Sequence, residues 1–309
     1  MRSSTRSTVF LAVFAAAVLT SATVMAAPIT LPVSPLFVQY VNNEQFSAGN
    51  NIPTNGALTN EGNWGILQIT NIAKGTALPP LGSDIQGGGG TVFSNAGPGG
   101  PQITGIFYGT HINQTGPTAG LTATGGVIDL YWRDVGTANA GADGLNPALR
   151  LNQKTYTGYA EPLNPAFIFL AQLVYGPGCD SGGVNHVCNG VAPATADGVA
   201  KSYQSVNLAA GGAWASLLDS NFFTLDANGL PMSPQDVRTD SDFTRNGATG
   251  WDGGCLPTNP PTPCDIIGLR SSDPVRALVT PEPATLTLFG LGLLGAGFLR
   301  RRKERREHK

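Results

Sequence analysis

Val127-Ile128-Asp129-Leu130-Tyr131-Trp132-Arg133 is the most regular stretch of the chain, with Ile128, Leu130 and Trp132 on one side and Asp129, Tyr131 and Arg133 on the other. This two-residue period belongs to an extended strand that buries one face and wets the other. Segments 36–41, 64–72, 103–112, 167–175, 201–208 and 237–243 read the same way, being rich in β-branched and aromatic residues and bounded by Gly, Pro or Asn. The segment 167–175, Phe-Ile-Phe-Leu-Ala-Gln-Leu-Val-Tyr, is apolar on both faces. Periodicity leaves it either a central strand or a short buried helix. Long helical periodicity is missing between these segments. The connections at 82–100, 116–126, 136–144 and 246–254 are Gly-rich and read as loops long enough to form binding surfaces or mobile tips. The expectation is an all-β fold: an antiparallel β-sandwich, with a jelly-roll as one form of it, carrying long Gly-rich loops. Residues 271–280 are a linker or a final strand.

Composition narrows the function. Apolar residues make up 41% of the chain, so it is not disordered, while charged residues at 12% are about half the usual share. Between residue 27 and residue 280 there are nine Lys and Arg against seventeen Asp and Glu, a net charge near −8. Nucleic-acid binding needs clustered basic residues, and this acidic body has none.

Four cysteines fall in two local pairs, Cys179 with Cys188 and Cys255 with Cys264, each enclosing eight residues. Matched spacing in an exported chain favours disulfides, and local pairing has the lower loop-closure entropy. A metal site from Cys179, His186 and Cys188 is the alternative, although the short Cys-x-x-Cys spacing of a closed zinc site is missing. Gly290-Leu291-Gly292-Leu293-Leu294-Gly295 fits a dinucleotide fingerprint only by pattern, because no strand feeds it. The body shows no Gly-x-Ser-x-Gly elbow and no phosphate loop. His111 closes a strand and reads as a surface residue. Among the acids, Asp129 and Asp134 lie on or near one strand, and Glu44, Glu61 and Glu161 are placed in turns as solvated groups. No spacing singles out a glycosidase pair. Asp236, Asp240, Asp242 and Asp252, with Asn246, could hold calcium, but the twelve-residue calcium-loop pattern is not matched. No cofactor and no catalytic residue is expected, and metal ligands are not assigned.

The two ends carry addresses. Residues 1–26 have a basic head with Arg2 and Arg6, an apolar stretch and a small-residue finish at Val24-Met25-Ala26, the three parts of a secretory signal. The other end runs Pro281-Glu282-Pro283, then sixteen uncharged residues 284–299, then Arg300, Arg301, Arg302, Lys303, Arg305 and Arg306. The prolines keep their strip extended. As a transmembrane helix the apolar run covers roughly 24 Å, a thin span, and the basic cluster holds its end in the cytoplasm as a stop-transfer element.

This order resembles the PEP-CTERM sorting signal of Gram-negative bacteria that secrete exopolysaccharide, over about a tenth of the chain. The resemblance implies that exosortase recognises Pro281, Glu282 and Pro283 and releases the body from an inner-membrane intermediate toward the cell surface. Residues 27–270 are then the secreted β-rich domain and 281–309 the sorting signal. The implied partners are the Sec export machinery, exosortase, the inner membrane in transit and exopolysaccharide. The expectation is a non-catalytic cell-surface or extracellular-matrix protein of biofilm or floc. Alternatives are a polysaccharide-binding module, calcium-supported in one form and using aromatics such as Tyr131, Tyr156, Tyr159, Trp214 and Trp251, or a secreted carbohydrate-active enzyme.

Overall fold

A computed structural model describes residues 29–53, 60–95, 100–113, 120–134, 167–180, 184–189, 197–245 and 266–280. Eight long strands dominate: β1 (Pro35–Ser47), β2 (Asn63–Lys74), β3 (Pro101–Asn113), β4 (Thr122–Asp134), β5 (Phe167–Gly176), β6 (Gly198–Val206), β7 (Val237–Thr244) and β8 (Ile266–Leu278). Each of the seven segments read as strands falls on one of β1 to β7. The segment 167–175 is a strand and not a helix, and residues 271–278 belong to β8.

The expected sandwich is wrong: the sheet closes on itself. Every strand pairs antiparallel with its successor in the chain, and β8 returns to β1 along thirteen residue pairs, from Pro35 opposite Leu278 to Ser47 opposite Ile266. The result is an up-and-down eight-stranded barrel, whose interior is just wide enough to be filled by side chains or to hold a small ligand. A sandwich needs two sheets with free edges, and long end strands that pair over their whole length remove them. Register shifts near Gln39, Asn63 and Phe169 supply local bends that help the sheet curl.

The inward face is apolar at both ends. At one end Leu36, Ile72, Ile103, Trp132 and Ala277 meet a plug made of Leu31, Trp214, Leu218 and Val279. Trp214 sits on a lid, 207–219, that includes a short helix, Ala215–Leu218. The lid docks through Ala213 N–H on the Phe169 carbonyl and Trp214 N–H on the Leu170 carbonyl. Gly212 (φ 116°) makes that approach possible, since a Cβ there would lie 2.4 Å from the Leu170 oxygen. At the other end Phe46, Ile112, Leu121, Phe243, Ile267 and Leu269 close the barrel.

The outward face is polar at Gln39 and Asn43 on β1 and at Arg270, Ser272 and Arg276 on β8. The same face carries an apolar patch of Trp64, Ile66 and Ile106 buried under Ile52. Part of 82–100, read as loop, is ordered as strand. Thr76–Leu78 pairs with Asp84–Gln86, and Thr91–Ser94 adds to β2. Ile85, Tyr203 and Phe223 then cluster on the outer wall.

β5 stops at Gly176, and the short strand Val187–Asn189 fills the wall beyond it, pairing with both β6 and β4. A disulfide joins Cys179 to Cys188, with Cα atoms 5.5 Å apart, and ties that patch to the end of β5. This rules out the metal site at Cys179, His186 and Cys188. The expected Cys255–Cys264 bridge lies outside the described residues.

Candidate functional site

Between the two apolar ends the barrel encloses a polar layer. Following β1 inward gives Leu36, Val38, Tyr40, Asn42, Glu44 and Phe46, so two polar residues sit in the middle of a strict alternation. The facing positions of β8 are Asp273 opposite Tyr40, Ser271 opposite Asn42 and Leu269 opposite Glu44. From the far wall come Tyr175, Ser202, Gln204, Thr239 and Ser241. Gly65 on β2 is required here, because a Cβ at that position would lie 2.5 Å from the Phe107 ring and 2.7 Å from the Glu44 Cβ.

The network is continuous. Asn63 donates to the Glu44 carboxylate at 2.8 Å and the Ser271 hydroxyl donates to its other oxygen at 3.1 Å. Ser271 N–H donates to the Asn42 side-chain oxygen at 2.8 Å, and the Asn42 amide donates to Asp273 at 3.3 Å. Asp242 N–H donates to the other Asp273 oxygen at 3.2 Å, and the Tyr40 and Ser241 hydroxyls donate to the same carboxyl. Across the layer the Thr239 hydroxyl donates to Gln204 at 3.3 Å, and Gln204 donates to Ser202 at 2.7 Å.

Two carboxyls are therefore buried side by side, Glu44 at 8% and Asp273 at 1% exposure. The cavity of about 80 Å³ beside them is lined by Tyr40, Asn42, Glu44, Tyr175, Ser202 and Ser241 among others, with no Lys, Arg or His. Burial pushes the Glu44 carboxyl above the usual range, offset in part by the bonds from Asn63 and Ser271. Burial raises Asp273 well above it, and the Glu44 charge adds to the rise. Burial likewise holds the Tyr40 phenol protonated, with the Asp273 charge as the next cause. The chamber has room for two or three water-sized groups, at about 30 Å³ each. A second cavity of about 50 Å³ lies toward the lid and is apolar. Chemically the polar chamber favours a protonated carboxyl or an entering positive charge.

Sequence reading placed Glu44 in a turn as a solvated acid, which is incorrect, and passed over Asp273 altogether. The alternation runs from Leu36 to Phe46, but Asn42 and Asn43 mimic a turn and hide its second half. Glu61 is also buried and accepts the Gly109 N–H. Asp129 accepts from the Tyr108 hydroxyl at 3.0 Å and from Gln172 at 2.8 Å on the outer wall.

The calcium candidates do not converge. Asp236 is buried and accepts three backbone N–H groups, from Val206 (2.8 Å), Ser220 (2.8 Å) and Asn221 (2.6 Å). Asp240 pairs with Arg238 (3.2 Å) and with Arg276. Asp242 is exposed on the outer wall. Asn246 and Asp252 lie outside the described residues, and no group of three metal-ligating side chains occurs among the described residues. His111 is exposed on β3, as expected. His186 accepts the Gly125 N–H at 3.1 Å, and partial burial lowers its pKa. The aromatic candidates do not form one platform. Trp214 is inside the plug, Tyr131 packs against Phe169 at 5.4 Å, and Tyr156, Tyr159 and Trp251 lie outside the described residues.

A separate groove of about 580 Å³ opens on the outer wall between Phe37, Gln39, Asn71, Gln86, Thr91 and Arg276, rimmed by Gly87, Gly88 and Gly89. Arg276 lies over the Phe37 ring at 5.6 Å and bonds Asp84 at 3.0 Å.

The chain leaves the barrel at the lid. Val279 donates its N–H to the Ser34 carbonyl at 3.1 Å, and Thr280 donates its own to the Leu217 carbonyl at 3.0 Å. Residues 279–303, beginning at this junction, match the family model of the PEP-CTERM protein-sorting motif. The tail is a PEP-CTERM sorting signal. A PEP-CTERM tail marks an exported protein that exosortase processes. The match covers Pro281, Glu282 and Pro283 and the basic residues Arg300, Arg301, Arg302 and Lys303, and stops before Arg305 and Arg306. All of these, with the expected transmembrane helix at 284–299, lie outside the described residues. Among the described residues no helix is long and apolar enough to cross a membrane. No curated protein and no solved structure matches this chain.

Proposed function

We propose that this PEP-CTERM protein is a non-catalytic barrel of the cell surface or extracellular matrix of a Gram-negative bacterium. It enters the Sec pathway through residues 1–26, pauses in the inner membrane on its tail, and is passed outward to exopolysaccharide in a biofilm or floc. The observation that carries this reading is the PEP-CTERM match joined directly to a closed, acidic barrel with a polar outer wall. Both carboxyls are buried, Glu44 with 8% and Asp273 with 1% of its surface exposed, which argues against the open pair that glycoside hydrolysis uses. The test is fractionation of producing cells with and without the sorting protease. Wild-type protein should reach the surface or medium only when the protease is present, and Glu282→Ala should hold the precursor in the inner membrane. Unchanged release of the variant would count against the reading.

One observation favours a second reading, a polysaccharide-binding module. The outer groove combines an aromatic floor at Phe37 with amides at Gln39, Asn71 and Gln86, the mixture of apolar face and hydrogen-bonding rim that suits a sugar ring. Retention of the barrel on the producer's own polysaccharide, lost in Asn71→Ala with an unchanged melting temperature, would support it. Equal retention of wild type and variant would remove it.

A further inference from the structure

The polar chamber keeps hydrogen-bonding capacity that no described residue uses. Glu44 takes one bond on each carboxylate oxygen, from Asn63 at 2.8 Å and Ser271 at 3.1 Å, which leaves a lone pair on both. Thr110 stands opposite Asn63 in the register of β2 and β3, is 5% exposed and lines the chamber, yet its hydroxyl has no hydrogen-bond partner among the described residues. The Tyr175 phenol lines the same space and likewise has none. Both side chains converge over Gly126, where a Cβ would lie 2.8 Å from the Thr110 hydroxyl oxygen and 2.7 Å from the Tyr175 ring. A buried hydroxyl without a partner is costly, and one that faces a cavity marks where a partner enters. The far half of the chamber is apolar, walled by Phe46, Ile112, Val187, Phe243 and Leu269.

We infer that the chamber is a binding site for a small primary ammonium ion, with its N–H groups on Glu44, Thr110 and Tyr175 and its alkyl group against the apolar wall. A volume of about 80 Å³ admits two or three non-hydrogen atoms, at about 30 Å³ for each water-sized group, which is the size of methylammonium or ethylammonium. Three acceptor groups match three N–H donors. A bare metal ion fits less well, because calcium takes about six to eight oxygen ligands and the apolar half supplies none. The incoming charge also gives the buried pair of Glu44 and Asp273 the counter-ion that no described lining residue provides. Entry needs the wall to open, and Val187 lines the chamber from the three-residue segment Val187–Asn189. A site inside the barrel is independent of how the tail is processed.

The test is thermal unfolding of the purified full chain in detergent at pH 7.5, after equilibration with methylammonium or ethylammonium chloride. Sodium, potassium, calcium and tetramethylammonium chlorides at matched ionic strength are the comparison. Either primary ammonium should raise the melting temperature of the wild type by about 3 to 6 °C at ten times its dissociation constant. Tetramethylammonium, which is larger and has no N–H, should not. In titration calorimetry Glu44→Gln should weaken binding by at least about a hundredfold and Thr110→Val by about tenfold. Thr110→Val removes no hydrogen bond to a described residue, so without ligand it should melt as the wild type does. An equal rise in wild type and Glu44→Gln places the effect outside the chamber and overturns the site. A rise with sodium, potassium or calcium that depends on Glu44 overturns the ammonium in favour of a metal ion. Unchanged affinity in Thr110→Val, or no rise with either primary ammonium, overturns the assignment outright.

Discussion

Glu44→Gln separates charge from shape in the barrel interior. The substitution preserves the hydrogen bonds, because the new amide oxygen accepts from Asn63 and the new amide nitrogen donates to the Ser271 hydroxyl, which can turn its own proton into the chamber. Asp273→Asn is a less clean probe, because its new nitrogen would meet either the Asn42 amide or the Asp242 N–H, both of which donate to the carboxylate. The sign of the effect follows from linkage. Both acids have folded-state pKa values above their unfolded ones, so the native barrel binds more protons between the two values. Their contribution is fully present below about pH 4, the unfolded range, and is lost as pH rises through the raised folded values. Each unit of the shift is worth about 1.4 kcal/mol, or about 3 to 6 °C in a domain of this size. His186 works in the opposite direction just below about pH 6.5, since its pKa is lowered, but it is common to wild type and variant and cancels in the difference. Thermal unfolding of the tail-free barrel followed by circular dichroism from pH 4 to pH 8 provides the assay. The variant should melt several degrees above wild type at pH 7.5, and the gap should close toward pH 4. A variant that melts below wild type by the same amount at every pH would refute the argument, because it would show Glu44 acting only as a hydrogen-bond partner.

Other outcomes follow from the same geometry. Reducing the Cys179–Cys188 bridge should lower stability by about 2 to 3 kcal/mol, and the loss should appear first as faster hydrogen exchange in the Val187–Asn189 patch of wall. Asp236→Ala should cost at least about 2 kcal/mol by stripping the acceptor from three backbone N–H groups, and millimolar calcium should leave the melting temperature of wild type where it is. Trp214→Ala should cost about 3 to 5 kcal/mol in chemical denaturation by emptying the plug beneath the lid, and should make Val279 and Thr280 accessible to protease.

The strands were legible because their inward faces alternate cleanly, and all of β1 to β7 could be placed from Ile128, Leu130 and Trp132 outward. Closure was not, since a strand's period says which face is buried but not which strand lies beside it. The pairing of β1 with β8 joins residues more than two hundred positions apart, and no local feature of Pro35–Ser47 announces Ile266–Leu278 as its neighbour. The site was missed for a related reason. Asn42 and Glu44 look like the start of a polar turn until the chain is wrapped so that Asn63, Ser271 and Asp273 surround them. Asp236 and Asp240 resembled cation ligands because sequence shows the acids but hides the partners that satisfy them, backbone N–H groups for one and Arg238 and Arg276 for the other. The sorting motif was readable, since its order of prolines, apolar run and arginines acts through linear sequence, and the match over residues 279–303 agrees with it.

Sorting and interior chemistry should be separable. The pairing of β8 with β1 leaves no free edge between the end strands, and the wall exposes Gln39, Arg270 and Ser272. The tail that carries the sorting signal leaves the fold at Thr280 beside the lid. The buried acids lie deeper, behind the apolar layer of Val38, Ile69, Leu130 and Val237. No hydrogen bond from Glu44 or Asp273 reaches the lid or Thr280 among the described residues, so changing their charge has no direct route to the processing junction. Glu44→Gln should accordingly be processed at the wild-type rate in cells, and Glu282→Ala should melt at the wild-type temperature in vitro. A processing defect in the first, or a shifted melt in the second, would show that the chamber and the tail are coupled through the plug.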